Sequence, residues 1–230
     1  MKIDIDFSLL KQKIKGELAS DNIYRKLYAT DASAYREVPA GVVWPKTKQD
    51  IREIVSFAKE NKIPFTPRAA RTSLAGQVVG NGLVVDISRH FKKIIEYNKD
   101  ENWGKVEPGV VRDELNKVTE KDGLFFGPET STSNRANIAG MIGNNSCGAH
   151  SLIYGSTRDH TLEVEAILSD GTETVFKDIN AKEFEEKCQL DNTEGSIYRK
   201  LREILDNVEN INEIISQFPD PRIERRNTGY

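Results

Sequence analysis

The residues best suited to chemistry sit in one stretch, Pro64 to Ile87. A short apolar piece, Phe65 to Pro67, enters a loop of small residues: Ala69, Ala70, Thr72, Ser73, Ala75 and Gly76. An aliphatic run, Leu83 to Ile87, follows it. Small side chains let a backbone approach a ligand closely, and successive exposed N–H groups form a concavity suited to an anion. Arg68 and Arg71 add positive charge beside it. The chemistry implied is phosphate binding. The plainer alternative is a mobile loop between two buried strands.

The elements around this stretch can position such a loop. Gly41 to Trp44 reads as a strand that Pro45 ends. Thr47 and Asp50 mark a helix start, and Ile51, Ile54, Val55 and Ala58 give its apolar stripe. Ile63 to Thr66 begins the next strand, so the segment reads as a βαβ unit, parallel and right-handed by rule. The loop then falls at the carboxyl end of a parallel strand, where ligands bind in such sheets.

Upstream, Phe7, Leu10, Ile14 and Leu18 predict an amphipathic helix over 7–19, followed by a polar link at 30–35. Downstream, Ile94 to Tyr97 pairs with Trp103 to Glu107 around a polar turn. A helix follows near 111–122, then a short strand at 124–126. Gly127 to Gly155 is a long segment of Gly, Ser, Asn, Thr and Ala, and a stretch of that kind inside a compact domain is usually functional. Asn137 to Asn144 could be helical within it. Glu163 to Leu168 and Glu173 to Phe176 form a hairpin around Ser169-Asp170-Gly171. Three helices follow, and the end, Pro219 to Tyr230, is basic and extended. The division expected is an N-terminal helix and link (1–40), a first lobe (41–107) and a second lobe (108–230), with both ligand-friendly loops facing one cleft.

Composition narrows the function. With 30% charged and 37% apolar residues and a net charge of −3, the 230-residue chain reads as soluble. The acidic balance argues against a nucleic-acid surface. No apolar run reaches membrane-spanning length. Two cysteines, Cys147 and Cys188, give no disulfide framework, so a cytoplasmic setting is the default. Cys147 with His150 has half of a metal-site spacing, but the other half is missing, so no metal is expected. Asp159 and His160 lack a nucleophilic serine motif to complete a hydrolase site. The small-residue loop lacks the Lys-Ser/Thr pair of a Walker loop, which weakens a nucleotide-dependent transferase reading.

The landmarks, in order, are Pro-Arg-Ala-Ala-Arg-Thr-Ser-Leu-Ala-Gly-Gln (67–77), Val-Glu-Pro-Gly-Val (106–110), Gly-Pro-Glu-Thr-Ser-Thr-Ser-Asn-Arg-Ala-Asn-Ile-Ala-Gly-Met-Ile-Gly-Asn-Asn-Ser-Cys-Gly-Ala-His (127–150), Tyr-Gly-Ser-Thr-Arg-Asp-His (154–160) and Leu-Ser-Asp-Gly (168–171). Together they resemble the FAD-linked oxidases and dehydrogenases with the fold of p-cresol methylhydroxylase and vanillyl alcohol oxidase, in the D-lactate, glycolate and D-2-hydroxyglutarate dehydrogenase branch. The Arg-Arg-Asn-Thr-Gly-Tyr ending (225–230) fits that branch too. The resemblance covers about residues 28–230 and implies an α+β fold, with FAD held between two lobes.

It assigns the diphosphate to the backbone of residues 69–76, Leu74 included, with Arg68 and Arg71 as neighbours. Pro128, Glu129, Thr130, Ser131, Ser133 and Asn134 would line the ribityl and flavin side. Ile138, Gly140, Asn144, Asn145, Gly148, Ala149, Tyr154 and Gly155 would continue the wall, and the Val164 backbone would meet the adenine. Some members attach flavin through a histidine in the first loop. This loop has none, so non-covalent FAD is expected.

The implied reaction is oxidation of a D-2-hydroxy acid to the 2-oxo acid. A cap domain absent from these residues would supply most substrate contacts, so the chain is expected to be part of a longer enzyme and inactive alone. Catalytic residues and the electron acceptor stay open. Any iron–sulfur cluster would belong to other parts of that longer chain, as would any peripheral attachment to a membrane. The competing class is an inactive flavoprotein-like scaffold module.

Overall fold

The computed structural model describes residues 5–220 and 222–223. The expected extended end and the Arg-Arg-Asn-Thr-Gly-Tyr motif lie outside the described residues, apart from Pro219, Asp220, Arg222 and Ile223. The chain divides into two compact units, the first ending at His160 and the second beginning at Thr161.

The first unit is built on a four-stranded sheet of β1 (Glu17–Ala19), β2 (Gly41–Trp44), β3 (Phe65–Arg68) and β4 (Leu83–Asp86). Their order is β1-β2-β4-β3. Strands β2 and β3 both run parallel to β4, while β1 is antiparallel to β2. β2 and β4 are buried at every position, which fits the apolar runs Gly41–Trp44 and Leu83–Val85; the buried Asp86 that closes β4 is held by the Tyr28 hydroxyl. Helix α3 (Lys48–Glu60) connects β2 to β3 and lays Ile54, Val55, Phe57 and Ala58 into the core. Its start follows the sequence signal, because the Thr47 hydroxyl accepts from the Asp50 amide.

The N-terminal segment departs from the expected helix over 7–19. Helix α1 spans only Ser8–Lys13, and the chain then extends into β1. Phe7, Leu10 and Ile14 do share one apolar face, packed with Ile54 and Phe57. Gly16 explains the break. A Cβ there would lie 2.3 Å from the Trp44 carbonyl oxygen, so the chain passes too close to β2 for a helix bearing side chains. Asp50 fixes the crossing. Its carboxylate, 1% exposed, accepts from the Lys15 amide at 3.1 Å, the Lys46 amide at 2.8 Å and the Thr47 hydroxyl at 2.8 Å.

Helix α2 (Asn22–Leu27), capped by Asp21, was not expected. Tyr28 follows it and anchors the link to β2. Its hydroxyl donates to Asp86 at 2.6 Å and accepts from the Trp44 indole at 2.9 Å. Strands β5 (Ile94–Asn98) and β6 (Trp103–Val106) form the expected antiparallel pair. Helix α4 (Arg112–Thr119) ends through a 3-10 turn at Gly123, where φ is +70°. The expected strand at 124–126 does not form. Its polar groups are taken by α4 instead, through Leu124 N to Thr119 O at 3.2 Å and Phe126 N to the Asn116 side chain at 2.7 Å. Helices α5 (Ile138–Gly143) and α6 (Ser151–Tyr154) punctuate the Gly/Asn-rich segment. Ile138 and Met141 of α5 join a second core with Val110, Leu115 and Ala136.

The second unit opens with the expected hairpin, β7 (Glu163–Ile167) and β8 (Glu173–Lys177), paired from Glu163↔Lys177 to Ile167↔Glu173. Gly171 supplies the left-handed turn position at φ +93°. Helices α7 (Ala181–Cys188), α8 (Thr193–Asp206) and α9 (Val208–Gln217) follow. Phe184 meets Tyr198 edge-on at 5.5 Å, and buried Glu194 pairs with Lys187. Among the described residues no helix is long and apolar enough to cross a membrane.

Asp50→Ala leaves three donors without their acceptor and is expected to cost about 2–4 kcal/mol in a urea melt. Burial alone would raise the Asp50 pKa, but the bonds from Lys46, Lys15 and Thr47 outweigh it and hold the value below normal. The linked stability is therefore present above about pH 4 and lost as pH falls through the lowered folded value. An Asp50→Ala chain with unchanged urea midpoint would contradict this. The Tyr28 hydroxyl behaves oppositely. Burial, with the Asp86 carboxylate second, pushes it up to about 12. Its contribution is full below about pH 10, the unfolded value, and is lost between there and about pH 12. Absorbance at the phenolate band is expected to show a tyrosine titrating at about pH 12 that Tyr28→Phe removes.

Candidate cofactor-binding site

Strand β3 ends at Arg68, and the small-residue loop begins at the next residue. Arg68 is 1% exposed. Its guanidinium donates to the Tyr28 carbonyl at 2.8 Å, the Thr30 carbonyl at 2.6 Å and the Val78 carbonyl at 3.3 Å. The same group lies over the Tyr28 ring, 4.9 Å from its centroid. Burial lowers the Arg68 pKa, and the three carbonyl acceptors support the charged form. Arg68 thus ties the link before β2 to both ends of the loop.

The loop itself is held from its carbonyl side. Ala32 N donates to the Arg71 carbonyl at 3.2 Å, and Ile87 N to the Arg68 carbonyl at 3.0 Å. Among the described residues, no backbone amide from Ala69 to Gln77 donates to another protein group. Nine consecutive donors are left for an outside acceptor. Two positions show how the turn is made. Arg71 has φ +55° and Gly76 has φ +78°. Gly76 also lies under the Tyr35 ring, where a Cβ would come within 2.7 Å. Arg71 and Leu74 are exposed, while Ala69, Ala70, Thr72 and Ser73 are half-buried.

The Gly/Asn-rich segment forms a second wall. Arg112 clamps its start, donating to the Phe126 carbonyl and to the Pro128 carbonyl, each at 3.1 Å. Ser133 is tied to α4 through its hydroxyl to Asp113 at 3.1 Å. Glu129 accepts from both the ring Nδ1 of His150, at 2.7 Å, and the His150 amide, at 3.1 Å. These two bonds hold the Glu129 carboxyl below its usual range. Gly148 lets the strands of this clamp meet, because a Cβ there would sit 2.5 Å from the Glu129 side chain. Gly127 packs likewise on Tyr154. Asn145 is buried at φ +44° and accepts from the Arg158 amide at 2.9 Å. Asn144 donates to Ser146 at 3.2 Å.

The two walls touch. A Cβ on Gly140 of α5 would lie 3.3 Å from the Ala69 side chain, so the amide-rich loop and α5 are in direct contact. The structure thereby brings the 68–76 and 138–140 residues together. Val164 lies on β7 in the second unit, opposite Phe176. His150 pairs through its Nδ1 with Glu129.

Several residues at this site carry no sequence signal. Tyr28 comes from the end of α2, Thr30 and Tyr35 from the polar link, and Arg112 from a helix that reads as merely amphipathic. Asn137 is 4% exposed and precedes α5. Its side-chain amide donates to the Gly109 carbonyl at 2.8 Å, and its Oδ1 is buried without a partner. Buried polar atoms are nearly always hydrogen-bonded, so this oxygen is an unfilled acceptor at the start of α5.

Comparison with known proteins gives this geometry its family. A profile described as "FAD binding domain" matches residues 39–177. D-2-hydroxyglutarate dehydrogenase of Pseudomonas putida is 36% identical over 226 residues, 97% of this chain and 22% of that protein. The Escherichia coli protein of the same name is 36% identical over 96% of this chain and 22% of its own length. Glycolate oxidase subunit GlcD of Bacillus subtilis is 30% identical over 73% of this chain and 36% of its own length. The chain thus spans about a fifth of the length of the first relatives it matches. Among solved structures, Physcomitrella patens BBE-like 1 superposes with a TM-score of 0.68 at 21% identity, over 77% of this chain and 39% of that one. For 6-hydroxy-D-nicotine oxidase from Arthrobacter nicotinovorans the TM-score is 0.64 at 20% identity, over 74% and 38%. At these identities the likeness establishes the fold, which is the α+β fold expected from the landmarks. The match over 39–177 spans more than half of the chain, and the chain belongs to the FAD-binding domain family of the p-cresol methylhydroxylase and vanillyl alcohol oxidase type.

Proposed function

We propose that this chain is the cofactor-holding part of a flavin-dependent oxidoreductase that converts a D-2-hydroxy acid to the 2-oxo acid. The observation that carries the reading is the run of amides from Ala69 to Gln77 that no protein group occupies. A diphosphate presents several charged acceptor oxygens, and a row of backbone donors on small residues is the complement they need. The residues present fit the group. The substrate class is supported by relatives of 36% identity whose names specify a D-2-hydroxy acid. Those enzymatic relatives also favour this reading over an inactive scaffold.

On this reading the amides of Ala69, Ala70, Arg71, Thr72, Ser73, Leu74, Ala75 and Gly76 hold the diphosphate. Arg68 acts from beneath, by fixing the carbonyls around the loop. Pro128, Glu129, Thr130, Ser131, Ser133 and Asn134 line the ribityl and flavin side. Ile138, Gly140, Asn144, Asn145, Gly148, Ala149, Tyr154 and Gly155 complete the wall. Bound flavin supplies the acceptor for the hydride equivalent leaving the substrate α-carbon. The chain's own residues bind and orient; the Glu129–His150 bond keeps the second wall closed on itself. Substrate carboxylate recognition is assigned to a cap domain in a longer polypeptide. Attachment is non-covalent, because residues 68–77 contain no histidine.

Titrating the chain into FAD is expected to quench flavin fluorescence saturably, and acid precipitation is expected to leave all flavin in the supernatant. Fluorescence indifferent both to the chain and to the protein as it occurs in the cell would refute the FAD reading, whereas colour in the pellet would refute only the non-covalent part. For the substrate class, the protein as it occurs in the cell is expected to reduce an artificial acceptor with D-2-hydroxyglutarate and not with the L-enantiomer. A flavin-loaded protein silent toward every D-2-hydroxy acid would overturn that assignment.

A further inference from the structure

Burial removes Arg68 from the reach of a ligand, yet two other guanidiniums flank the loop. Arg71 belongs to it and makes one long contact, 3.5 Å to the Leu27 carbonyl. Arg36 comes from the link before β2. An open cleft of about 340 Å³ separates this link from the loop. Tyr35, Arg36 and Glu37 line one side, and Ala75, Gly76 and Val79 the other. The backbone here is held in place. Thr30 and Arg36 form an antiparallel bridge, and Glu37 N donates to the Ala29 carbonyl at 2.8 Å. Tyr35 packs its ring on Gly76. Among the described residues the Arg36 guanidinium has neither an ion pair nor a hydrogen bond.

A cation on a fixed backbone, bordering a cleft shared with unoccupied amides, is arranged for an anion that the amides also bind. The geometry points to Arg36 as a ligand-recognition residue whose guanidinium engages a phosphate oxygen of the bound dinucleotide beside Ala75 and Gly76. The inference rests on the FAD reading for the ligand's identity, but only the ligand's diphosphate is needed for the contact. Glu37 lines the same cleft, so its carboxylate opposes the approach of negative charge. The two neighbours should therefore act in opposite senses on phosphate-bearing ligands. Neither should act on a ligand that lacks phosphate.

Amide NMR spectra of the whole chain, titrated separately with inorganic pyrophosphate, ADP, FAD and riboflavin, test this and register weak binding as well as strong. Pyrophosphate, ADP and FAD are expected to shift the 69–77 amides. Arg36→Gln is expected to weaken all three by about tenfold, the scale of one charge-assisted contact. Glu37→Gln is expected to tighten them by a few-fold. Riboflavin affinity is expected to stay the same in both variants. A merely structural role for Arg36 would instead weaken riboflavin and FAD together and lower the melting temperature. That result, or unchanged pyrophosphate and ADP affinity in Arg36→Gln, would overturn the proposal. Pyrophosphate binding that depends on Arg36 without any binding of FAD would sink the flavin reading and leave this one standing. No binding of pyrophosphate by the unaltered chain would overturn both.

Discussion

The structure around the loop depends on one buried charge, the Arg68 guanidinium. Taking a cation out of water is costly unless every donor finds an acceptor. Arg68 meets most of that demand with the carbonyl oxygens of Tyr28, Thr30 and Val78, and with the face of the Tyr28 ring. Those acceptors come from two segments, the Tyr28–Thr30 stretch and the far end of the loop, so satisfying the charge fixes both together. The loop is consequently shaped through its carbonyls and its flanks. A loop fixed through its own amides would have none to offer a ligand.

The sheet makes that arrangement possible. Arg68 can reach Tyr28 because Tyr28 is itself pinned, its hydroxyl between Asp86 on β4 and Trp44 on β2. Asp86 lies opposite Arg68 in the parallel register of β3 and β4. The anchor of the link and the origin of the loop are therefore neighbours on the same edge of the same strands. On the other side, the Gly140 approach to Ala69 admits no larger pair without displacement. Small residues are thus needed at the loop for two separate reasons, access to the amides and contact with α5.

What the sequence shows of this follows from what periodicity can encode. β2, α3 and β4 are legible because their apolar spacing is set by burial on known faces. The hairpin of β7 and β8 is legible from its Asp-Gly turn. Helix α1 stops early for a reason no periodicity records. Gly16 must pass the Trp44 carbonyl, a constraint between residues distant in sequence. Leu124 to Phe126 has strand-like residues but spends its polar groups on Thr119, Asn116 and Arg112. The small residues of 69–76 were readable as close-approach positions. The parts played by Tyr35 and Asn137 were not, because they exist only once the link and α5 are packed.

The arginines show where residue type stops being informative. A guanidinium beside a small-residue loop reads as a ligand contact in sequence, and Arg68 and Arg71 are then equivalent in kind. Direction separates them. Arg68 is the last residue of β3 and its only fully buried one, so its side chain leaves the strand toward the interior. Arg71 follows after the backbone has turned left-handed, and its side chain emerges exposed. Arg36 is distant in sequence but is carried to the loop by the bridge to Thr30, whose carbonyl is one of the Arg68 acceptors. The buried arginine thus helps fix the segment that presents the exposed one. Internal charge sets the scaffold, and external charge is left for the ligand.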